Sequence, residues 1–249
     1  MGQRTEKGQN QMQATLLCIS ADQGFRGELE SNLGSEGYEI ELVCSGEDGC
    51  QRILTSSYDA VVVDSRMEDR HAFDVIREVC QSASLAVFFV TETEEVTEHV
   101  VGLELGADDV MVKPVDDREL VARLRSVLRR IQAPQPLNGA RRADALEFGG
   151  LSLACGSRQV ALGGASVQLT AAESSILERL MTEPGQVVAK DDLSEFALGR
   201  RLGSGDRSLD THVSRLRRKL RHIGSEGVVG IQCIRSRGYM ISSSTEVPA

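Results

Sequence analysis

Four continuous apolar runs constrain the first half of this chain most strongly. They are Leu16–Ile19, Ala60–Val63, Leu85–Val90 and Val110–Val112, and a weaker strand pattern covers Glu39–Val43. Apolar runs of this length are typical of strands in a parallel sheet that is covered on both faces. Because helical patterns lie between the runs, we predict an open, doubly wound α/β fold.

The clearest helical pattern, Asp117–Arg130, closes this first half. The next stretch contains Pro134, Pro136 and Gly139 and has no apolar periodicity, which is typical of a linker. We therefore predict one domain over residues 14–130, a linker over 131–143 and a second domain over 144–246.

The second domain shows a different order of elements. Glycine-broken strand patterns reach Leu169, and Thr170 to Glu173 form a capping box before an apolar helix. A short helix over Lys190–Ala197 and a loop over Gly199–Gly205 follow. The predicted order is strands, three helices and a hairpin.

The third of these helices, beginning at an Asp206 N-cap, has one apolar and one basic face. The apolar face carries Leu209, Val213, Leu216 and Leu220. The opposite face consists of Arg207, Thr211, Ser214, Arg215 and Arg218. A basic face is often merely solvated, but here a hairpin over Ile231–Ile241 follows, with a basic tip at Arg237. A basic helix followed by a basic hairpin indicates a winged helix-turn-helix that binds DNA.

The distribution of charge agrees with this division. The chain has 249 residues and a formal net charge of −9. Residues 14–130 hold 24 acidic and 11 basic side chains, whereas residues 141–249 hold 12 and 15. An acidic domain joined to a mildly basic one is typical of a regulatory domain attached to a nucleic-acid module.

Other sequence features narrow the setting. The six cysteines form no C-x-x-C pair, which favours free thiols in a reducing compartment. We see neither a secretory signal nor an apolar run long enough to cross a bilayer. We therefore expect a soluble, cytoplasmic protein without membrane contact.

Polar side chains follow three of the predicted strands. Asp64, Thr91 and the pair Lys113-Pro114 each stand where a strand ends. Ligand sites of open α/β sheets lie at this edge. A carboxylate, a hydroxyl and an ammonium together suit a phosphoryl group, with the carboxylate as acceptor.

With these residues in place, the whole chain resembles a bacterial response regulator of the OmpR/PhoB type. The motifs that carry the resemblance are Asp59–Asp64, Gly102–Asp109, Lys113-Pro114, Arg118–Arg123, Leu169–Glu173, Arg207–Leu220 and Arg237–Tyr239. The loop Leu198–Leu202 looks closest to the envelope-stress, CpxR-like branch. The resemblance implies a CheY-like, flavodoxin-type (βα)5 receiver followed by a winged helix-turn-helix domain.

The resemblance also implies roles for residues of the first domain. Asp64 would be the phosphoacceptor, Thr91 the switch hydroxyl and Lys113 the phosphoryl-binding lysine, with a cis Lys113–Pro114 bond. Receivers of this type pair through their fourth and fifth helices and fifth strand. The matching charge pairs are His99 with Glu119, Glu104 with Arg125, Asp109 with Arg123 and Asp108 with Arg130.

For the second domain, the resemblance places eight residues against duplex DNA. They are Arg207, Ser208, His212, Ser214, Arg215 and Arg217 on the recognition helix, and Arg235 and Arg237 on the wing. We expect Arg215 to be the best reader of bases. Gly199–Gly205, made basic by Arg200 and Arg201, corresponds to the loop that contacts RNA polymerase.

Departures from the family pattern fall around the acceptor. Ser20-Ala21 stands where the family has its magnesium-binding acidic pair, and Val110 replaces the switch aromatic. Asp22 and Asp64 are the only candidate metal ligands. Alanine offers no oxygen to magnesium, and bringing Asp22 inward would require a shift of the Leu16–Ile19 register. We expect a degenerate receiver with weak or absent magnesium-dependent phosphorylation, no resident cofactor, and constitutive dimerisation.

We thus predict a sequence-specific transcriptional regulator of a two-component phosphorelay, not an enzyme. Its expected partners are double-stranded DNA, RNA polymerase, a second copy of the chain and a sensor histidine kinase. Two alternatives stay open. One is an Asp64-dependent phosphohydrolase. Arg66 disfavours it, because such enzymes require a second acid two residues after the nucleophile. The other is a pseudo-receiver scaffold that acts without phosphorylation.

Overall fold

The computed structural model describes residues 14–82, 85–132, 145–203 and 205–243. Its first domain is built on a five-stranded parallel sheet in the order β2-β1-β3-β4-β5. The strands are β1 Thr15–Ile19, β2 Glu39–Val43, β3 Ala60–Asp64, β4 Ala86–Thr91 and β5 Asp109–Val112. The predicted doubly wound sheet is confirmed.

Five helices cover both faces of this sheet. They are α1 Gln23–Ser35, α2 Gly46–Thr55, α3 Ala72–Ser82, α4 Val96–Leu105 and α5 Asp117–Gln132. Alternate residues of the central strands enter two separate apolar clusters. For example, Val62 and Phe88 face α1 and α5, whereas Val63 and Phe89 face α2 and α3. This two-sided burial explains why the strands are continuously apolar in sequence.

In its described residues, the second domain contains two antiparallel sheets and three helices. The strands are β6 Leu146–Phe148, β7 Leu151–Ala154, β8 Gln159–Leu162, β9 Ala165–Gln168, β10 Val188–Ala189, β11 Val229–Ile234 and β12 Gly238–Ser243. The helices are α6 Ala171–Thr182, α7 Lys190–Leu198 and α8 Ser208–His222. Strands β6 to β9 form one of these sheets as a meander, and the other sheet has the strand order β10-β12-β11.

Several local predictions are confirmed. The Thr170 hydroxyl accepts a hydrogen bond from the Glu173 amide, and Glu173 accepts one from the Thr170 amide, which is the expected capping box. The apolar face of α8 is buried as expected. The wing is the β11–β12 hairpin, and its turn includes Arg237.

Other local predictions need correction. The N-cap of α8 is Arg207, not Asp206, although Asp206 Oδ1 still accepts from the Ser208 amide at 2.8 Å. Helix α5 continues through Gln132, beyond the predicted end at 130. The rest of the predicted linker and both 144 and 246 lie outside the described residues.

Strand β10 was not predicted, because its two residues are too few for a pattern. It pairs with β12 at Val188–Tyr239 and Ala189–Gly238. A Cβ at position 238 would collide with the Val188 carbonyl, and the residue has φ of 153°. Gly238 of the Arg-Gly-Tyr motif is therefore required by this close approach of two backbones.

The two domains are packed against each other. Helix α4 contacts α8, and α5 contacts α6 and α7. Ala171, the first residue of α6, is buried in the apolar cluster that includes Leu124 and Leu128 of α5. The α4–β5–α5 face of the first domain is thus covered by the second. None of the helices in the described ranges is long and apolar enough to span a bilayer.

Candidate functional site

The carboxylate of Asp64 lies at the end of β3 and is fully buried. The Ser20 hydroxyl donates to its Oδ2 at 2.5 Å, and Lys113 Nζ contacts the same oxygen at 2.7 Å. Its Oδ1 accepts from the Arg66 amide at 3.1 Å. Both oxygens of the expected acceptor are therefore held by partners from its own domain.

Asp22 reaches this site without the register shift that we expected to be necessary. It is the N-cap of α1, and its Oδ1 accepts from the Phe25 amide. Its Oδ2 lies 3.1 Å from Lys113 Nζ. The expectation was wrong because the chain turns out of β1 through Ser20, and the capping geometry aims Asp22 at the strand ends. The Phe25 hydrogen bond and Lys113 lower the pKa of Asp22.

These residues do not fit the magnesium ion that the fold family implies. Two carboxylates, Asp22 and Asp64, are bridged by the ammonium of Lys113. Of the two residues that stand in place of the acidic pair, Ser20 uses its hydroxyl to bind Asp64, and Ala21 has no side-chain oxygen. Magnesium prefers an octahedron of oxygens with carboxylates among them. Across the described ranges, no three His, Cys, Asp or Glu side chains cluster as a metal site would require.

Thr91, the expected switch hydroxyl, is buried at the end of β4. Its hydroxyl donates to Glu98 Oε1 of α4 at 2.5 Å. The hydroxyl is thus directed to the helix rather than held ready for a phosphoryl oxygen. The Lys113–Pro114 bond is cis, as the resemblance implies.

The loop that follows the acceptor is fastened to α2. Asp69 accepts hydrogen bonds from the amides of Gly46 and Glu47 and from the Ser45 hydroxyl. These bonds lower the pKa of Asp69 to about 2. Arg70 pairs with Glu47 at 3.3 Å and with Glu78 at 2.7 Å. The loop after Asp64 therefore acts as a clamp at the N-terminus of α2.

Five of the eight predicted DNA-facing residues remain at least partly accessible. Arg207, Ser214, Arg235 and Arg237 are exposed, and Arg217 is partly buried. Arg217 Nε donates to the Ile231 carbonyl at 2.9 Å, and its guanidinium lies 5.7 Å from the Tyr239 ring centroid. The helix-to-wing contact therefore positions Arg217 while leaving the wing tip free.

The other three, Ser208, His212 and Arg215, are buried. His212 Nε2 lies 3.1 Å from the Asp108 carbonyl oxygen of the first domain. Arg215, which we expected to read bases, donates to the Leu103 carbonyl at the C-terminus of α4. The helical periodicity of the sequence identified the donor-rich face of α8 correctly, but it could not show that the first domain covers part of that face. In this arrangement Arg215 cannot reach a DNA groove.

Arg215 is also held by its own domain. Its Nε lies 3.3 Å from Glu173 Oε1, while Lys219 Nζ contacts Glu173 Oε2 at 2.6 Å. Burial would raise the pKa of Glu173, but the cations Arg215 and Lys219 outweigh it and lower that pKa. Glu173 thus combines three tasks: capping α6, anchoring α8 and orienting the buried arginine.

The loop before α8 is less basic at its surface than its sequence suggests. Arg200 is mostly buried between Asp206 of its own domain and Asp109 of β5, with Asp109 Oδ1 at 3.4 Å. Arg201 is exposed and lies 3.7 Å from Glu195. The prediction that both arginines offer charge to RNA polymerase is therefore corrected: in this arrangement Arg201 is accessible and Arg200 is not.

Residues predicted to pair across a dimer make contacts within one chain. Arg123 binds both Asp109 and Glu119, Arg125 binds Glu36 at 2.6 Å, and Glu104 lies 3.2 Å from Arg218. The His99 ring contacts the Thr93 carbonyl at 2.9 Å. The four pairs between subunits stay predictions, and the Arg130 side chain lies outside the described residues.

Asp108 is the residue whose position sequence reasoning missed most. Its Oδ2 accepts from the Val87 amide at 3.0 Å, and its Oδ1 accepts from the Ala172 amide of α6 at 2.7 Å. The contacts of Arg215 with Glu173 and with the Leu103 carbonyl were also missed. The available signal was the acidic pair Asp108 and Asp109 at the start of β5, which we interpreted as dimer contacts.

Comparison with known proteins agrees with both domains. The model of response regulator receiver domains matches residues 16–125, and that of the C-terminal domain of transcriptional regulatory proteins matches residues 164–241. The transcriptional regulatory protein CpxR of Escherichia coli K12 is 34% identical over 231 residues, covering 92% of this chain and 99% of that protein. Response regulator MprA of Mycolicibacterium vanbaalenii is 32% identical over 231 residues, covering 92% and 98%.

A solved structure of a RitR mutant has the same fold. It covers 92% of this chain and 99% of its own, with a TM-score of 0.72 and 20% identity. The parallel five-stranded domain, the winged helix-turn-helix and the full-length match to CpxR lead to one assignment. The chain belongs to the OmpR/PhoB family of response regulators, the DNA-binding transcription regulators of two-component systems.

Proposed function

We propose that this chain is a dimeric, sequence-specific transcription regulator that acts without magnesium-dependent phosphorylation of Asp64. The observation that carries the proposal is the closed hydrogen-bond set of that carboxylate. Lys113 and Ser20 share one oxygen, and the Arg66 amide occupies the other. Phosphoryl transfer relies on a metal to neutralise developing charge. Here that place is taken by an ammonium and a hydroxyl.

Two further features support a receiver that does not switch through phosphorylation. The Thr91 hydroxyl donates a hydrogen bond to Glu98, and Val110 stands where the family has the switch aromatic that moves together with this hydroxyl. The loop after the acceptor is fixed to α2 by Asp69 and Arg70. Signals would then enter through protein contacts or concentration rather than through a kinase.

Intact-mass measurement tests this directly. The purified chain, incubated with acetyl phosphate and magnesium, should stay unmodified, and a conventional receiver in the same buffer gives the positive control. Restoring the acidic pair by Ser20→Asp with Ala21→Asp should allow modification that Asp64→Asn abolishes. Stoichiometric phosphorylation of the unaltered chain at Asp64 would contradict the proposal.

We propose that the wing and α8 give the protein its sequence preference. Arg235 and Arg237 on the hairpin and Arg207 on α8 are exposed cations that suit phosphate contacts, and Arg215 would read bases once uncovered. Genome-wide selection of DNA fragments by the unaltered chain, Asp64→Ala and Arg215→Ala tests this. We expect the same fragments for Asp64→Ala and a relaxed selection for Arg215→Ala. Equal enrichment of all fragments would refute sequence preference.

We propose two further partners that the resemblance to the family suggests. We propose that two copies pair through the α4–β5–α5 face on direct half-sites, and that exposed Arg201 contributes to contact with RNA polymerase. Sedimentation of Arg123→Glu tests the pairing, because this variant should lower the dimer content. An unchanged profile would count against it. A cytoplasmic location is part of the same proposal.

A further inference from the structure

We infer that Asp210 of the recognition helix α8 is a positioning residue, which fixes the wing hairpin β11–β12 to the helix and so holds the wing arginines in place for DNA. The inference rests on the proposed phosphate contacts of Arg235 and Arg237, and Asp210 is outside the eight residues that the resemblance places against DNA. It lies in the first turn of α8, and its side chain is 44% exposed. An exposed acid on a DNA-binding helix repels phosphates, and its contacts show what it contributes instead.

The Asp210 carboxylate joins three elements of the second domain. Its Oδ1 accepts a hydrogen bond from the Tyr239 hydroxyl of β12 at 2.5 Å, and Lys190 Nζ, at the start of α7, contacts the same oxygen at 2.6 Å. Burial would raise the pKa of Asp210, but the hydrogen bonds from Lys190 and Tyr239 outweigh it and lower that pKa. The acid therefore stays charged, and the ammonium of Lys190 offsets its charge.

The position of Tyr239 makes this contact important for the hairpin. The tyrosine is 4% exposed, and burial of a hydroxyl without a hydrogen-bond partner costs free energy. Its strand, β12, is the middle strand of the β10-β12-β11 sheet, where Tyr239 pairs with Val188 on one side and with Cys233 on the other. A hydrogen bond that holds the Tyr239 hydroxyl on α8 therefore holds both strands of the hairpin.

Arg217 makes a second attachment between α8 and the hairpin. It follows Asp210 by about two helical turns and so lies on the same side of the helix. Its Nε donates to the Ile231 carbonyl of β11 at 2.9 Å. Because Arg217 is also expected to contact DNA, a phosphate would compete with the Ile231 carbonyl for its guanidinium. Asp210 is an anion and does not bind phosphate, so its link to Tyr239 should persist when DNA is bound.

The place of the hairpin determines where the wing cations stand. Arg235 and Arg237 are exposed and lie in the segment that joins β11 to β12. The recognition helix and the wing touch different parts of a duplex, so both can bind phosphates only at a suitable separation. A hairpin that is fixed before binding avoids the ordering cost that a mobile one would add.

The first test is Asp210→Ala in the full chain. We expect about tenfold weaker binding to a mixed-sequence duplex and a salt slope smaller by about two, one for each wing arginine that leaves its phosphate. Electrostatics alone predicts tighter binding, because the variant removes a negative charge from α8. Asp192→Ala is the matched control, since Asp192 is exposed and is the third residue of α7, as Asp210 is of α8. It should bind no more weakly than the unaltered chain.

Two milder variants cover the case in which Asp210→Ala impairs folding. Asp210→Asn keeps an oxygen that accepts from the Tyr239 hydroxyl, so it should restore the affinity and the salt slope. Tyr239→Phe keeps the ring and removes only the hydroxyl, and it should weaken binding about threefold, as expected for one hydrogen bond. Its matched control is Tyr58→Phe, because the Tyr58 hydroxyl also donates to a carboxylate at 2.5 Å, that of Glu41 in the first domain.

A double variant separates positioning from direct contact with DNA. Tyr239→Phe combined with Asp210→Ala should bind as Asp210→Ala does, since both changes break one link. An additive loss would mean that the tyrosine hydroxyl binds DNA itself, and it would overturn the inference. Equal affinity and salt slope for Asp210→Ala and Asp192→Ala would overturn it as well. If alanine at both Arg235 and Arg237 left the affinity unchanged, the proposed wing contact would be wrong, and the inference would be wrong with it.

Discussion

The acceptor pocket and the domain interface are both polar and both buried, yet they differ in how fully their buried polar atoms are hydrogen-bonded. In the pocket, each Asp64 oxygen has a partner, and Lys113 joins Asp64 to Asp22. In the interface, Arg200, His212, Arg215 and Glu173 each leave one buried atom without a good hydrogen bond.

This difference indicates different mechanical roles. A fully satisfied polar network makes a structure rigid, whereas a partly satisfied one is held against a continuing desolvation cost. Under the proposed function, the acceptor pocket acts as a structural support rather than as the place where a signal is received.

The largest expected effect comes from removing the cation of the pocket. Lys113→Met leaves the fully buried Asp64 carboxylate with the Ser20 hydroxyl and an amide as its partners. Breaking a buried ion pair on one side costs about 3–5 kcal/mol. We expect a loss of this size in the free energy of unfolding, measured by urea titration with circular dichroism. Lys113→Met with Asp64→Asn should recover most of it; no loss in the single variant would mean that the pocket is not a support.

A smaller loss is expected for Ser20→Ala. This variant removes one hydrogen bond to a buried carboxylate, and bonds to charged groups contribute about 1.5–3 kcal/mol. The same urea titration measures it, with Ser57→Ala at an exposed loop position as the control. If the two serine variants proved equally stable, the 2.5 Å hydrogen bond from Ser20 to Asp64 would contribute nothing to the free energy of unfolding.

The smallest effect is a pH dependence of the interface through His212. Burial lowers the pKa of this histidine, and Arg215 adds to that, whereas Asp108, Glu173 and Asp109 oppose it. The packed arrangement of the two domains therefore favours the neutral ring. Its stability relative to separated domains is complete above the ordinary histidine pKa of about 6.5 and falls as the pH drops below that value.

Small-angle scattering provides the measurement. The radius of gyration should increase when the pH is lowered from about 7.5 to about 5.5, on either side of the ordinary histidine pKa. His212→Gln keeps an N–H donor for the Asp108 carbonyl but cannot titrate, so its radius should stay constant. An equal increase in both proteins would assign the pH response to another group.

Much of the architecture could be predicted because it depends on local patterns. The apolar runs specified β1, β3, β4 and β5, and Thr170 with Glu173 marked the start of α6. Each of these signals lies within a few residues of its effect. The strand ends also brought Asp64 and Lys113 together as expected, because parallel strands share one carboxyl edge.

The sequence by itself determined two domains, their folds, the apolar stripe of α8 and the basic wing, since periodicity and capping act over short distances. Only the tertiary structure decided that Arg215 is covered, that Asp108 caps α6 and that Asp22 reaches Lys113. The two contacts between the domains join residues that are 64 and 112 positions apart in the chain. Asp22 and Lys113 are 91 positions apart. No local pattern encodes such distances, because they depend on how complete surfaces meet.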